Sequence, residues 1–172
     1  MSLAADIELA ILNCVDYILN TINGLQIPII WAYEGGAVPD EPYVLLNHIS
    51  GKQEWSAYKS DVDTSDLETY PDGKQTIFWT GENQVSINAY GPDCMNTLSL
   101  IYESVFLGAV EEYIDNQKIS IIDIGNAKNV SIILDDQAEK RAALDLRYRF
   151  GFEMIDSPGY ITGVDLSSTI NE

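Results

Sequence analysis

The chain has 172 residues, with nine Lys or Arg against 27 Asp or Glu and a formal charge of -18. A field of that sign repels free nucleic acid and anionic membranes, so general DNA binding is excluded. It fits instead a partner with a basic face, or a wall past which DNA slides without sticking. The 46% hydrophobic share is too high for a disordered chain, and the length suits one domain with a substantial core.

No linker-like tract or internal repeat divides the sequence, so residues 1–172 are expected to form a single domain. Cys14 and Cys94 have no second Cys or His at ligand spacing and read as small buried side chains. Met1-Ser2-Leu3-Ala4-Ala5-Asp6 lacks the basic start of a signal peptide. No run approaches the roughly 18 uninterrupted apolar residues of a membrane span, and an intracellular, soluble product is expected.

Residues 4–22 place Ile7, Ala10, Ile11, Cys14, Val15, Ile18 and Ile22 at helical spacing, with Asn23-Gly24 as the stop. A short strand is predicted over 27–33, then a loop rich in Gly and Pro over 34–42. Residues 43–49 read as a strand covered on both faces, able to form a hairpin with 53–59. Residues 60–74 form a polar excursion, the tip of a long hairpin, carrying Asp61, Asp63, Asp66, Glu68 and Asp72. Residues 75–79 and 84–90 read as extended. Gly91-Pro92-Asp93 starts a second helix, its buried face built from Met95, Leu98, Ile101, Tyr102, Val105, Phe106, Ala109 and Tyr113. Short strands follow over 119–124 and 130–134.

Then comes the most regular stretch, residues 144–154. Leu144, Leu146, Tyr148, Phe150, Phe152 and Met154 alternate with Asp145, Arg147, Arg149, Gly151 and Glu153. This is a strand with one buried face, about 35 Å long, expected to be the longest of its sheet. Residues 160–172 are one last edge strand or a loose tail, with 167–172 its most flexible part. The order implies an α+β domain, a mainly antiparallel sheet with two amphipathic helices packed on one face.

Reaction chemistry finds little support. His48 is the only histidine, no Gly-x-Ser-x-Gly elbow presents a serine, and phosphate-binding glycine motifs are absent. Asp61-x-Asp63-x-Ser65 with Asp72 imitates a calcium loop, but Asp66 replaces its turn glycine and no helix flanks it, so a solvated acidic hairpin is favoured. Asp123, Asp135, Asp136 and Glu139 form no spacing that demands a metal. No catalytic, cofactor or metal residue is assigned.

The cations are more informative. Lys140, Arg141, Arg147 and Arg149 lie within ten residues. Arg147 and Arg149 either pair with acids on adjacent strands or meet an acidic patch on a neighbouring copy; both readings stand. The candidate subunit interface is Arg141, Asp145, Arg147, Arg149 and Glu153. The acidic excursion is a candidate partner-facing loop.

The first helix, the Tyr33–Leu46 passage leading into Pro42-Tyr43-Val44, the Val85-Ser86-Ile87-Asn88-Ala89-Tyr90-Gly91 strand running into a helix, and Glu139-Lys140-Arg141-Ala142-Ala143-Leu144-Asp145-Leu146-Arg147-Tyr148 together resemble one family. It is that of the tail terminator, or neck terminator, proteins of long-tailed bacteriophages, especially contractile-tailed ones. The resemblance spans about residues 5–166, and the acidic excursion is longer than the family usually has. It implies a structural, non-enzymatic virion protein without cofactors, assembled in the host cytoplasm. The resemblance implies a hexameric ring on the head-proximal end of the tail tube. It ends tube and sheath assembly and joins the tail to the head connector. The implied partners are further copies of the chain and the tube, sheath and connector proteins, with no membrane contact and with DNA passing through unbound. Two other readings are an acidic DNA mimic that inhibits a host nucleic-acid enzyme and a metal-dependent hydrolase using Asp135, Asp136 and Glu139.

Overall fold

A computed structural model describes residues 3–33, 35, 37–66, 68–70, 73–134 and 137–157. Helix α1 (Leu3–Asp16) buries Ala10, Ile11, Cys14 and Val15, the stripe its spacing predicts. It then widens into a π-helical segment, Tyr17–Ile22, which a uniform 3.6-residue period does not foresee. Within that segment Asn20 accepts a hydrogen bond from the Ile27 N–H at 2.9 Å and donates one to the Ile27 carbonyl at 3.0 Å. It thereby acts as a strand partner to the chain leaving the helix. Gly24 supplies the left-handed turn at φ 67°. Asn23 stays right-handed, and its side chain bonds the Ile18 carbonyl and Ser104 Oγ.

Strand β1 (Ile29–Trp31) runs parallel to β2 (Tyr43–Lys59), with Ile29 opposite Val44 and Trp31 opposite Leu46. The predicted hairpin between residues 43–49 and 53–59 does not form. The lone Gly51 followed by Lys52 is not one of the dipeptides that favour a tight primed turn, and β2 continues straight through. The chain reverses only in 60–74, where Asp63 and Lys74 exchange backbone hydrogen bonds of 2.7 and 2.8 Å. The return strand β3 (Gln75–Tyr90) is likewise a single element.

The expected second helix is two, α2 (Cys94–Ser104) and α3 (Gly108–Asn116). Leu107 is extended, and its carbonyl accepts the N–H groups of Val110 and Glu111 at 2.8 and 2.9 Å. The break changes the helical phase. Val110 and Ile114 beyond it join the buried Leu98, Ile101 and Val105, while Met95, Tyr102 and Phe106, all before it, lie exposed beside that stripe. Ala109 is also exposed, while the half-buried Tyr113 stacks on Tyr17 at 4.0 Å.

The last strands are β4 (Ile119–Ile124), β5 (Lys128–Asn129), β6 (Ile132–Leu134), β7 (Gln137–Glu139) and β8 (Arg141–Asp156). The main sheet has the order β1-β2-β3-β8-β4, with β5 also beside β8, while β6 and β7 form their own antiparallel ladder. The fold is α+β with a mainly antiparallel sheet. Strand β4 runs antiparallel to β8, Ile121 opposite Tyr148 and Asp123 opposite Arg147, so Ile122 is the extra residue of a bulge.

Strand β8 alternates as its sequence predicts. Ala142, Leu144, Leu146, Tyr148 and Phe150 are buried, and Asp145, Arg147 and Arg149 exposed. Burial stops there: Phe152 is half-buried and Met154 is 53% exposed. At 16 residues β8 is also not the longest strand, since β2 has 17. An apolar cavity of about 20 Å3 is lined by Ile11, Val15 and Ile18 from the first helical region, Ile101 and Ile114 from α2 and α3, and Val85 and Leu146 from β3 and β8. The helices therefore cover the Leu146 face of the sheet, opposite Arg147. The predicted last strand or tail after residue 157 lies outside the described residues.

The chain divides into two units, Met1–Trp55 with Thr80–Gly151, and Ser56–Trp79 with Phe152–Glu172. The core cluster belongs to the first. In the second, Tyr58 stacks on Phe78 at 6.2 Å and Trp79 on Phe152 at 6.1 Å. No helix among the described residues is long and apolar enough to cross a membrane.

Candidate functional site

Period-two alternation puts Asp145, Arg147 and Arg149 on the sheet face away from the helices. Both arginines reach the same carboxylate, Glu82 on β3. Arg149 donates through Nε at 3.1 Å and through Nη2 to Glu82 Oε1, and Arg147 Nη2 lies 3.5 Å from Oε2. The Arg149 hydrogen bonds, followed by the charges of both arginines, hold the Glu82 carboxyl below the usual carboxylate range. About half of each arginine side chain is still exposed. Two cations thus share one anion, with Asp145 and Asp123, the residue opposite Arg147, on the same face.

Arg141 lies on the same face, eight residues earlier in β8. It is half-buried and differently held: Nη2 donates to Asn88 Oδ1 at 2.8 Å and the guanidinium lies 5.3 Å from the centre of the Tyr90 ring. Tyr90 stacks on Tyr43 at 4.5 Å. The Gly91 N–H donates to the Lys140 carbonyl at 3.0 Å, so two clamps, Arg141–Asn88 and Arg149–Glu82, tie opposite lengths of β3 and β8. Glu153 is exposed in the second unit. The structure therefore groups Arg147 and Arg149 with Glu82, and gives Arg141 a separate setting. Glu82 was not singled out from sequence, and Asn88 and Tyr90 only as part of the strand running into a helix, although the strand parity of residues 82 and 88 places both on this face once β3 is known to neighbour β8.

In the acidic excursion, Asp61 and Glu68 are exposed and Asp72 lies outside the described residues. Asp63 Oδ1 accepts the Ser65 N–H at 2.8 Å, and Asp66 Oδ1 accepts the Thr69 N–H at 3.2 Å. The Ser65 backbone hydrogen bond is the leading reason that Asp63 is held below its ordinary pKa. These two acids thus fold the loop that carries them. Among the described residues no group of three His, Cys, Asp or Glu is placed to hold a metal. Asp135 and Asp136 lie outside them, and Asp123 and Glu139 sit on β4 and β7.

His48 lies flat on Trp31 at 4.6 Å with Nε2 3.5 Å from Glu8 Oε1, which links β2 to α1. Cys14 and Cys94 are both buried. Burial pushes the Cys14 thiol up to about 12, so it is protonated at neutral pH and a poor nucleophile.

No curated protein matches the sequence. A family model described as phage neck terminator protein matches residues 9–172. Proteins of this family have a structural role in the virion's tail or neck, in association with other tail and head components. The match runs through every described element from within α1 onward, and the chain therefore belongs to the phage neck terminator proteins.

Proposed function

We propose that the chain assembles into a closed, hexameric ring at the head-proximal end of the tail tube. There it stops tube and sheath polymerisation, offers a docking face to the head connector, and acts without catalysis or cofactor. The observation that carries this reading is the family match over residues 9–172. A closed ring requires heterologous contacts, in which one patch meets a different patch on the next copy. The outer face with Asp145, Arg147 and Arg149 is one such patch, its half-exposed guanidiniums suited to an acidic neighbour; Arg141 and, in the second unit, Glu153 are the other proposed contact residues. Asp61, Asp63, Asp66, Glu68 and Asp72 form the partner-facing loop. With a net charge of -18, the ring lets DNA pass without specific binding.

Light scattering on size-exclusion fractions, with negative-stain imaging of tail tubes, tests the proposal. A ring of uniform mass at one tube end is expected. A strictly monomeric chain that is absent from particles overturns it. Arg147→Gln with Arg149→Gln is the appropriate interface variant, because Glu at both positions would crowd two new carboxylates against Glu82. Ring formation unchanged in that variant removes this face from the interface.

A further inference from the structure

A groove of about 260 Å3 opens where α2 gives way to α3. Val105, Ile114 and Ile121 form its floor, and Phe106, Glu111 and Asp115 stand at its rim. Val105 and Ile114 are buried and give it a firm base, whereas Phe106 is 63% exposed. The two acids are one helical turn apart on α3, a spacing at which like charges repel. Asp115 also lies in the last turn of α3, the end where the helix dipole disfavours an acid, and no basic residue offsets it there. Among the described residues neither carboxylate enters an ion pair or a side-chain hydrogen bond. The groove thus combines apolar surface with two carboxylates that no side chain among the described residues pairs.

We infer that this groove docks a segment of a partner protein that presents an apolar side chain between Lys or Arg residues. The floor takes the apolar group while Glu111 and Asp115 take the flanking cations. Nucleic acid and anionic lipid carry the wrong sign. A second copy is a poor occupant, because the chain's one apolar residue flanked on both sides by cations, Tyr148 between Arg147 and Arg149, is fully buried. Strand addition along the adjoining edge is opposed by the bulge at Ile122, which leaves recognition to side chains. The inference concerns partner chemistry and does not depend on ring formation.

The test uses the full chain, isotope-labelled for NMR, and a capped peptide with one leucine between two pairs of lysines. Amide shifts confined to residues 105–121 are expected, and Glu111→Gln with Asp115→Asn should weaken binding about ten-fold without lowering the thermal transition. Exchanging the leucine for alanine, or the lysines for glutamates, should remove the shifts. Unaltered affinity in the double variant, equal binding of the glutamate peptide, or shifts spread over acidic surface elsewhere would overturn the inference. So would a drop in oligomeric mass on making the double variant, since the occupant would then be another copy of the chain.

Discussion

A Cβ added at Gly81 would lie 2.6 Å from Cζ of Phe150, so this glycine of β3 is the seat on which the ring from β8 rests. Gly81→Ala must displace a ring that is only 3% exposed, and a cost of about 1 to 3 kcal/mol is expected. Phe150→Ala should cost about 3 to 5 kcal/mol through the void it leaves. The two changes share one space, so the double variant should lose less than the sum. Urea unfolding of the four proteins measures this; strict additivity would show that the ring is not seated there.

Tyr148 is fully buried, and Asn83 lies toward its hydroxyl without completing a hydrogen bond. Burial raises its pKa well above the ordinary tyrosine value, as it raises that of Cys14. Groups with raised folded-state values contribute stability that is complete below their unfolded values, about 10 and 8.5. That contribution is lost as pH climbs towards the folded ones. Tyr148→Phe should therefore stay within about 1 kcal/mol of the parent at neutral pH and decline less in alkali. Urea midpoints at neutral and alkaline pH check this, and parallel declines would refute it.

Glu82 shows the opposite sign. Its pKa is depressed in the folded chain, so its contribution is present above the unfolded carboxylate value of about 4.3 and is lost as pH falls through the lower folded value. Glu82→Gln should be less stable than the parent at neutral pH, with the gap closing in acid. High salt should narrow the gap as well, because the arginines are half-exposed. A gap independent of both pH and salt would assign Glu82 a packing role.

Asn20→Ala removes both side-chain hydrogen bonds to the Ile27 backbone, and a loss of about 1 to 2 kcal/mol is expected. Hydrogen exchange at the Ile27 amide separates this from a general loosening of the helix. Its protection should fall more than that of Val15, and equal falls would count against the clasp.

Signals with a fixed period were readable before the structure. Strand β8 exposes Asp145, Arg147 and Arg149 and buries Leu144, Leu146, Tyr148 and Phe150 because every second side chain points the same way. Where the period depends on a local break, the reading failed. Leu107 looks like any other apolar residue in a helical run, yet its extended backbone divides α2 from α3 and moves the buried positions to Val110 and Ile114. Gly51 resembles a turn, but β2 runs through it as one strand and the chain reverses only in 60–74. The outward arginines were found by alternation, whereas the acid they share was not, because Glu82 becomes their neighbour only through the β3-β8 pairing. The Arg141 setting likewise needs Tyr90 and Asn88 from a strand some 50 residues earlier. The acids of residues 61–66 were legible as an exposed loop, but their hydrogen bonds to backbone N–H groups depend on how that loop turns.

The bulge at Ile122 has a consequence at the scale of assemblies. Strand β4 leaves its register at Ile122, and the chain turns at Gly125 before β5 resumes beside Ala143. A foreign strand arriving at this side meets a broken row of donors and acceptors and cannot zip along it. One flank of the sheet is thereby protected against indiscriminate stacking into fibres, and side chains are left to choose which neighbours attach.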